Sequence, residues 1–259
     1  MKSHSFILVL ALMITSPLLS QPLNGEYTIG GSSPHFTTLQ DAANALKARG
    51  VSGPVTFNIR PGIYNKDDGL SSVMVLDSII AGISTINRMT FQPDEAAGGN
   101  VNNVLLQIDQ TTQTSTALVS IQTDYTTIRY LTFQDVDTTE AGANYLLSVS
   151  EYFQSNPTNE GIVVEGCRFI GNSLPPVSST FGTDFGIYGS ISVSDIVVRR
   201  NSFQRLMRSV HIGFSSDIPA GSVIVEDNEV LSATGSGVLF GHVIAVNARN
   251  VIIRRNYLN

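Results

Sequence analysis

The stretch Asp195-Ile196-Val197-Val198-Arg199-Arg200-Asn201-Ser202-Phe203 decides how this chain is read, because near-copies of it return at 126–133, 162–169, 223–230 and 251–258. Each copy is a short β-branched run, then charges, then a turn residue, then one more large apolar residue. The final apolar positions, 133, 169, 203, 230 and 258, are separated by 36, 34, 27 and 28 residues. Self-similarity at such a period is the signature of a solenoid.

Aligning the copies gives columns with a physical meaning. The residue after the β-branched run is Arg129, Glu165, Arg199, Glu226 and Arg254, alternating in sign at every step. Stacked as parallel strands about 4.8 Å apart, such residues place opposite charges beside one another, where like charges would repel. Two positions on stand Leu131, Cys167, Asn201, Asn228 and Asn256, and stacked asparagines at a bend can satisfy backbone groups that a buried turn would orphan. The column Phe133, Phe169, Phe203, Val230, Leu258 reads as an inward apolar ladder, worth roughly 1.5–3 kcal/mol per fully buried side chain.

Upstream, residues 22–31 read as an opening strand that ends in a glycine turn. The sequence then predicts one helix, capped by Thr37 or Thr38 and ended by Gly50, with Leu39, Ala42, Ala43 and Leu46 on one face. A single amphipathic helix ahead of stacked strands is suited to covering the open end of a solenoid core. Residues 55–59 alternate, with Val55, Phe57 and Ile59 inward, and 86–91 read as a degenerate copy of the repeat. Each later coil is read as two strands, the first exemplified by 118–121, 146–149, 191–193, 210–212 and 243–246. Residues 92–103 and 172–190 are read as long turns. The pattern thus predicts an all-β fold, a right-handed parallel β-helix with an N-terminal amphipathic capping helix; a β-sandwich is the alternative.

With 259 residues, 42% of them hydrophobic, the chain can bury the core of one large domain. A charged fraction of only 14% suits an extracellular β-protein. A net charge of -6 and only three lysines (Lys2, Lys47, Lys66) argue against a nucleic-acid partner. Residues 1–20 have a charged start, an apolar run over 6–14 and a small residue at Ser20, which reads as a secretory leader too short to span a membrane. The remaining 21–259 form one β-helix domain, with a capping segment about 26–64 and repeat coils about 65–259 that run to the last residue, as in a fragment of a longer chain. Cys167 is the sole cysteine and falls in the inward register, so it reads as a small core residue.

The segments Tyr27-Thr28-Ile29-Gly30-Gly31, Phe36-Thr37-Thr38-Leu39-Gln40-Asp41-Ala42, Gly53-Pro54-Val55-Thr56-Phe57-Asn58-Ile59 and Pro61-Gly62-Ile63-Tyr64 resemble the capping helix and first coil of a known family. It is the secreted bacterial right-handed parallel β-helix proteins of the pectin-lyase-like superfamily, and the resemblance spans about 26–259. It implies a fold, and it implies extracellular polysaccharide as a partner. Among its members, a pectin methylesterase needs two aspartates, a glutamine and an arginine on one outer face. Gln134-Asp135 and the segment 183–189, which contains Asp184, are similar to its aspartate motifs, but the chain has no Gly-Arg-Pro-Trp motif and no tryptophan. The motifs of a polygalacturonase are absent, and Asp67-Asp68 reads as a solvated loop. A pectate lyase would use Ca2+ and a basic residue; Arg205, Arg208 and His211 form the candidate acidic-sugar cluster, with His211 outward between inward Val210 and Ile212. His35 and His242 are isolated, and no spacing points to zinc. The sequence reading is therefore a secreted or cell-surface polysaccharide-binding or adhesion scaffold without a catalytic motif or identified cofactor. The alternative is a polysaccharide lyase or esterase, with Asp135, Asp184, Arg208 and His211 as site candidates.

Overall fold

The structure is a computed structural model and describes residues 21–65, 72–108, 117–136, 145–149, 159–171, 185–189, 193–206, 208–213, 220–231, 241–246 and 248–258. The leader 1–20, Asp67-Asp68 and Asp184 lie outside them. An opening strand β1 (Leu23–Ile29) precedes α1 (Leu39–Arg49). Coils of three strands follow: β2 (Val51–Ile59), β3 (Gly62–Asn65) and β4 (Met74–Leu76); then β5 (Met89–Pro93), β6 (Val104–Ile108) and β7 (Ala117–Ile121). The next are β8 (Thr126–Arg129), β9 (Thr132–Asp135) and β10 (Tyr145–Ser148); β11 (Asn159–Glu165), β12 (Arg168–Ile170) and β13 (Phe185–Gly189). After these come β14 (Val193–Arg199), β15 (Ser202–Gln204) and β16 (Arg208–Gly213); β17 (Ala220–Glu226), β18 (Glu229–Leu231) and β19 (Gly241–Val246); and finally β20 (Ala248–Arg254) and β21 (Tyr257–Leu258).

The first strands of the coils stack on β1 as sheet A, the second strands form sheet B and the third strands form sheet C. Strands neighbouring in a sheet are always one coil apart in sequence, and they pair in parallel, as in β11 with β14 or β13 with β16. That wiring is a parallel β-helix and excludes an antiparallel sandwich. Three expectations change. A coil has three strands, because the large apolar residue after the turn belongs to a separate strand of sheet B. Residues 172–190 include a strand, β13, where a turn was expected, and Val193 opens β14 of sheet A. Residue Ile86, taken as the start of a repeat, is exposed; the rung begins at Met89, which is buried.

The columns explain why the coils stack. Rings of Phe133, Phe169 and Phe203 lie parallel in sheet B, with centroids 4.9 and 5.1 Å apart. At the bend between sheets A and B, Tyr130, Arg200, Asp227 and Arg255 have φ values of 57, 56, 56 and 50°, and Gly166 has 64°. The left-handed residue aims the next side chain into the stack. Asn201 accepts from the Cys167 N–H at 2.8 Å, Asn228 from the Asn201 N–H at 2.9 Å and Asn256 from the Asn228 N–H at 3.0 Å. Each asparagine amide also donates to a carbonyl of the preceding coil: Val164, Val198 or Val225. Buried polar groups at the bend are thereby satisfied from coil to coil. Cys167 fills the same column, fully buried, and burial pushes its thiol up to about 12.

The charge column pairs in one direction. Glu165 holds Arg199 at 3.0 Å and Arg200 at 2.9 Å, and Glu226 holds Arg254 at 2.7 Å and Arg255 at 3.2 Å. Arg129 instead donates its Nε to Gln92 Oε1 at 2.7 Å. At the other end, α1 buries Leu39, Ala42, Ala43 and Leu46, and Thr38 forms a capping box with Asp41. Gln40 of α1 serves both backbone groups of Val75 on β4, the end strand of sheet C: its Oε1 accepts from the N–H at 2.8 Å and its Nε2 donates to the carbonyl at 3.4 Å. On β1, the end strand of sheet A, the Thr28 N–H donates to His35 Nδ1 at 3.0 Å. Local side chains thus occupy hydrogen-bonding positions that would otherwise template further strand pairing.

Candidate binding face

Sheet C carries aromatic residues and an arginine on three neighbouring rungs. In β10, β13 and β16 the inward residues Leu147, Ile187 and Val210 are buried and share one register column. On one side of it, Tyr145, Phe185 and Arg208 form an outward column, and on the other Ser148, Tyr188 and His211 form a second. Gly186 permits this approach of strands, since a Cβ there would stand 2.6 Å from the Ser209 carbonyl and 2.9 Å from the Phe203 ring.

The outward rings make one connected surface. Tyr145 and Tyr188 have centroids 4.5 Å apart, and Tyr145 and Phe185 5.2 Å. Tyr188 stacks on the His211 imidazole at 5.3 Å, with 9° between the planes. The Arg208 guanidinium lies over Phe185, 5.4 Å from its centroid. Arg208 Nη1 is also 3.1 Å from His211 Nδ1. A guanidinium only donates, so Nδ1 is the acceptor and the neutral imidazole carries its proton on Nε2. Burial, and then the charge of Arg208, hold His211 below the usual histidine range, in keeping with that tautomer. Burial likewise pushes the Tyr145 phenol up. Among the described residues Arg208 forms no ion pair, and its buried Nε has no hydrogen-bond partner. The face therefore offers the half-buried rings of Tyr145 and Tyr188, with Phe185 buried between its neighbours, beside the half-buried cation of Arg208.

The sequence candidates fall in different places. Arg208 and His211 come together, with His211 outward between buried Val210 and Ile212 as expected. Arg205 does not join them; its Nε donates to the Gly171 carbonyl at 3.1 Å. Asp135 is buried at the end of β9, on sheet B rather than sheet C. Asp184 lies outside the described residues, immediately ahead of β13 in sequence. His35 is tied to Thr28, and His242 lies on β19. The rings of Tyr145, Phe185 and Tyr188 were missed. Their signal is the series Tyr145-Leu146-Leu147-Ser148, Phe185-Gly186-Ile187-Tyr188, Arg208-Ser209-Val210-His211, in which the first and fourth residues face outward each time.

No group of three or more histidine, cysteine, aspartate or glutamate residues placed to hold a metal occurs among the described residues. Nor is any helix among them long and apolar enough to cross a membrane. No protein-family profile matches the chain, and no curated protein matches it in sequence. Among solved structures it is similar to a crystal structure of a mutant pectin methylesterase in complex with a hexasaccharide. The two share 12% identity over 81% of this chain and 67% of that one, with a TM-score of 0.37. The fold assignment rests on the strand pairing, and nothing about activity is drawn from that likeness.

Proposed function

We propose that this chain is an exported parallel β-helix whose sheet C face binds an acidic extracellular polysaccharide. The observation that carries the reading is the cluster of Tyr188 stacked on His211 beside an Arg208 that has no carboxylate partner among the described residues. Aromatic rings take up the apolar faces of sugars while keeping their edges polar, and arginine recognises carboxylates through paired, charge-assisted bonds. The cluster spans three successive rungs along the helix axis, β10, β13 and β16, which lets it meet more than one unit of a polymer. Export rests on the apolar leader at 1–20 and the low charged fraction. In the same reading α1 caps the N-terminal end of the stack, and the coils wind right-handed, the hand of about 98% of parallel crossovers.

A polysaccharide-degrading activity on the same face is the second reading, favoured by the position of Asp184 directly before the strand that pairs with Arg208. One experiment separates them. The purified protein is passed over immobilised polygalacturonate and alginate, and the soluble products are assayed for released methanol and unsaturated sugars. Salt-sensitive retention without products is expected. Absence of retention at low salt overturns the binding assignment, and product formation establishes the second reading.

A further inference from the structure

Away from sheet C, the bend between sheets A and B carries an open cleft of about 340 Å³, lined by Pro93, Glu95, Gly99, Asn100, Val101 and Tyr130. Its size falls within the range of small-ligand sites, about 300–1,000 Å³. One wall is the loop between β5 and β6, and that loop is fastened to the body of the protein. Asp94 caps its 3-10 turn through the Ala97 N–H and pairs with Arg60 at 3.5 Å. Asn102 accepts from Arg168 Nη1 at 3.0 Å, and Thr132 Oγ1 donates to the Val101 carbonyl. The Asn100 N–H donates to Asn103 Oδ1 at 2.7 Å. The wall is pre-formed, which lowers the ordering cost of binding.

The opposite wall is the ring of Tyr130, 40% exposed. Its placement depends on the next coil. Gly166 stands at a bend position that Arg200, Asp227 and Arg255 fill in other coils with the same left-handed φ. A Cβ at 166 would come within 2.4 Å of the Tyr130 ring. The one glycine of that column therefore lies where the Tyr130 ring needs room along the stack. The Arg129 guanidinium is 5.9 Å from the ring centroid and donates its Nε to Gln92 Oε1 at 2.7 Å. The cleft thus presents an aromatic face, apolar Pro93 and Val101, and the acceptor oxygens of Glu95, with no cation among the described residues that line it.

We propose that this cleft is a second carbohydrate site, one that takes a neutral pyranose unit. The Tyr130 ring stacks on the sugar's apolar face and Glu95 accepts from its hydroxyls; a uronate would meet the like charge of Glu95. The assignment is independent of the acidic-glycan reading of sheet C.

The test uses the full chain with its tyrosine rings 13C-labelled, titrated with cellohexaose, maltohexaose and hexagalacturonate. The resonance absent from Tyr130→Phe identifies Tyr130. A shift of that resonance with a neutral hexasaccharide is expected. Affinity is expected to fall about tenfold in Tyr130→Asn, a residue that tolerates the left-handed bend. If Tyr130→Asn does not fold, the wild-type shift and the Glu95→Gln affinity, expected several-fold weaker, decide. The proposal is overturned if the Tyr130 resonance stays still at 10 mM of both neutral sugars, about the weak limit of measurable binding. It is also overturned if hexagalacturonate shifts that resonance more strongly, or if the folded Tyr130→Asn binds neutral sugar unchanged.

Discussion

On the outer face of sheet A, Glu165 holds Arg199 and Arg200, Glu226 holds Arg254 and Arg255, and Arg129 holds Gln92. On the outer face of sheet C, two coils on from the Arg129 rung, Arg208 lies over Phe185 and against a neutral His211, with no carboxylate partner among the described residues. The same winding supports both faces. Sheet A spends its charges on the rung above or below, which fixes register; on sheet C, Arg208 has no carboxylate partner among the described residues and lies beside aromatic rings instead.

The contrast can be broken by substitution. The largest effect is expected where both faces share support, at Phe169, stacked between Phe133 and Phe203. Phe169→Ala should lose about 3–5 kcal/mol in chemical unfolding. It should also expose Cys167, inert in the native state because burial pushes its thiol up to about 12, to thiol reagents at pH 8. Arg208→Ala should weaken binding of polygalacturonate about 10- to 100-fold in calorimetric titration while changing stability little. Glu165→Gln should do the reverse, costing about 1–2 kcal/mol of stability, the smaller end because Arg200 is largely exposed, with affinity for the polysaccharide retained.

The smallest effect is a pH dependence. The folded state holds His211 below its usual value, through burial and then Arg208, so near and below pH 6.5 the unfolded chain binds more protons than the native one. Stability contributed by His211 is therefore fully present above that pH and is lost as pH falls through the folded pKa. Comparing wild type with His211→Gln in unfolding titrations between pH 7.5 and about pH 5, the window around a histidine's ordinary value, should show the steeper fall in wild type.

How far these faces could be read in the sequence follows the same division. The asparagine, phenylalanine and charge columns repeat within one continuous segment, so alignment of copies exposes them. Sheet B did not read as strands of its own, because rungs such as Ser202–Gln204 are three residues long and begin just after a left-handed bend. The partial pairing of the charge column was not legible either, since Arg129 turns to Gln92, an uncharged residue one coil earlier that lies just past 86–91, the copy read from the sequence. The sheet C face was read only at Arg208 and His211. Its members are separated by long loops of unequal length, and their outward residues are spaced by three positions, with the second residue of each rung, as in Leu146 or Ser209, buried as well as the third. Simple alternation does not predict that spacing.

Hydroxyl-radical footprinting of the full chain with and without polygalacturonate tests the assignment of the face most directly. Protection of Tyr145, Tyr188 and His211 together, with the exposed Tyr257 on β21 unchanged, is the result expected. Equal labelling of those three residues in the presence of bound polysaccharide would contradict it.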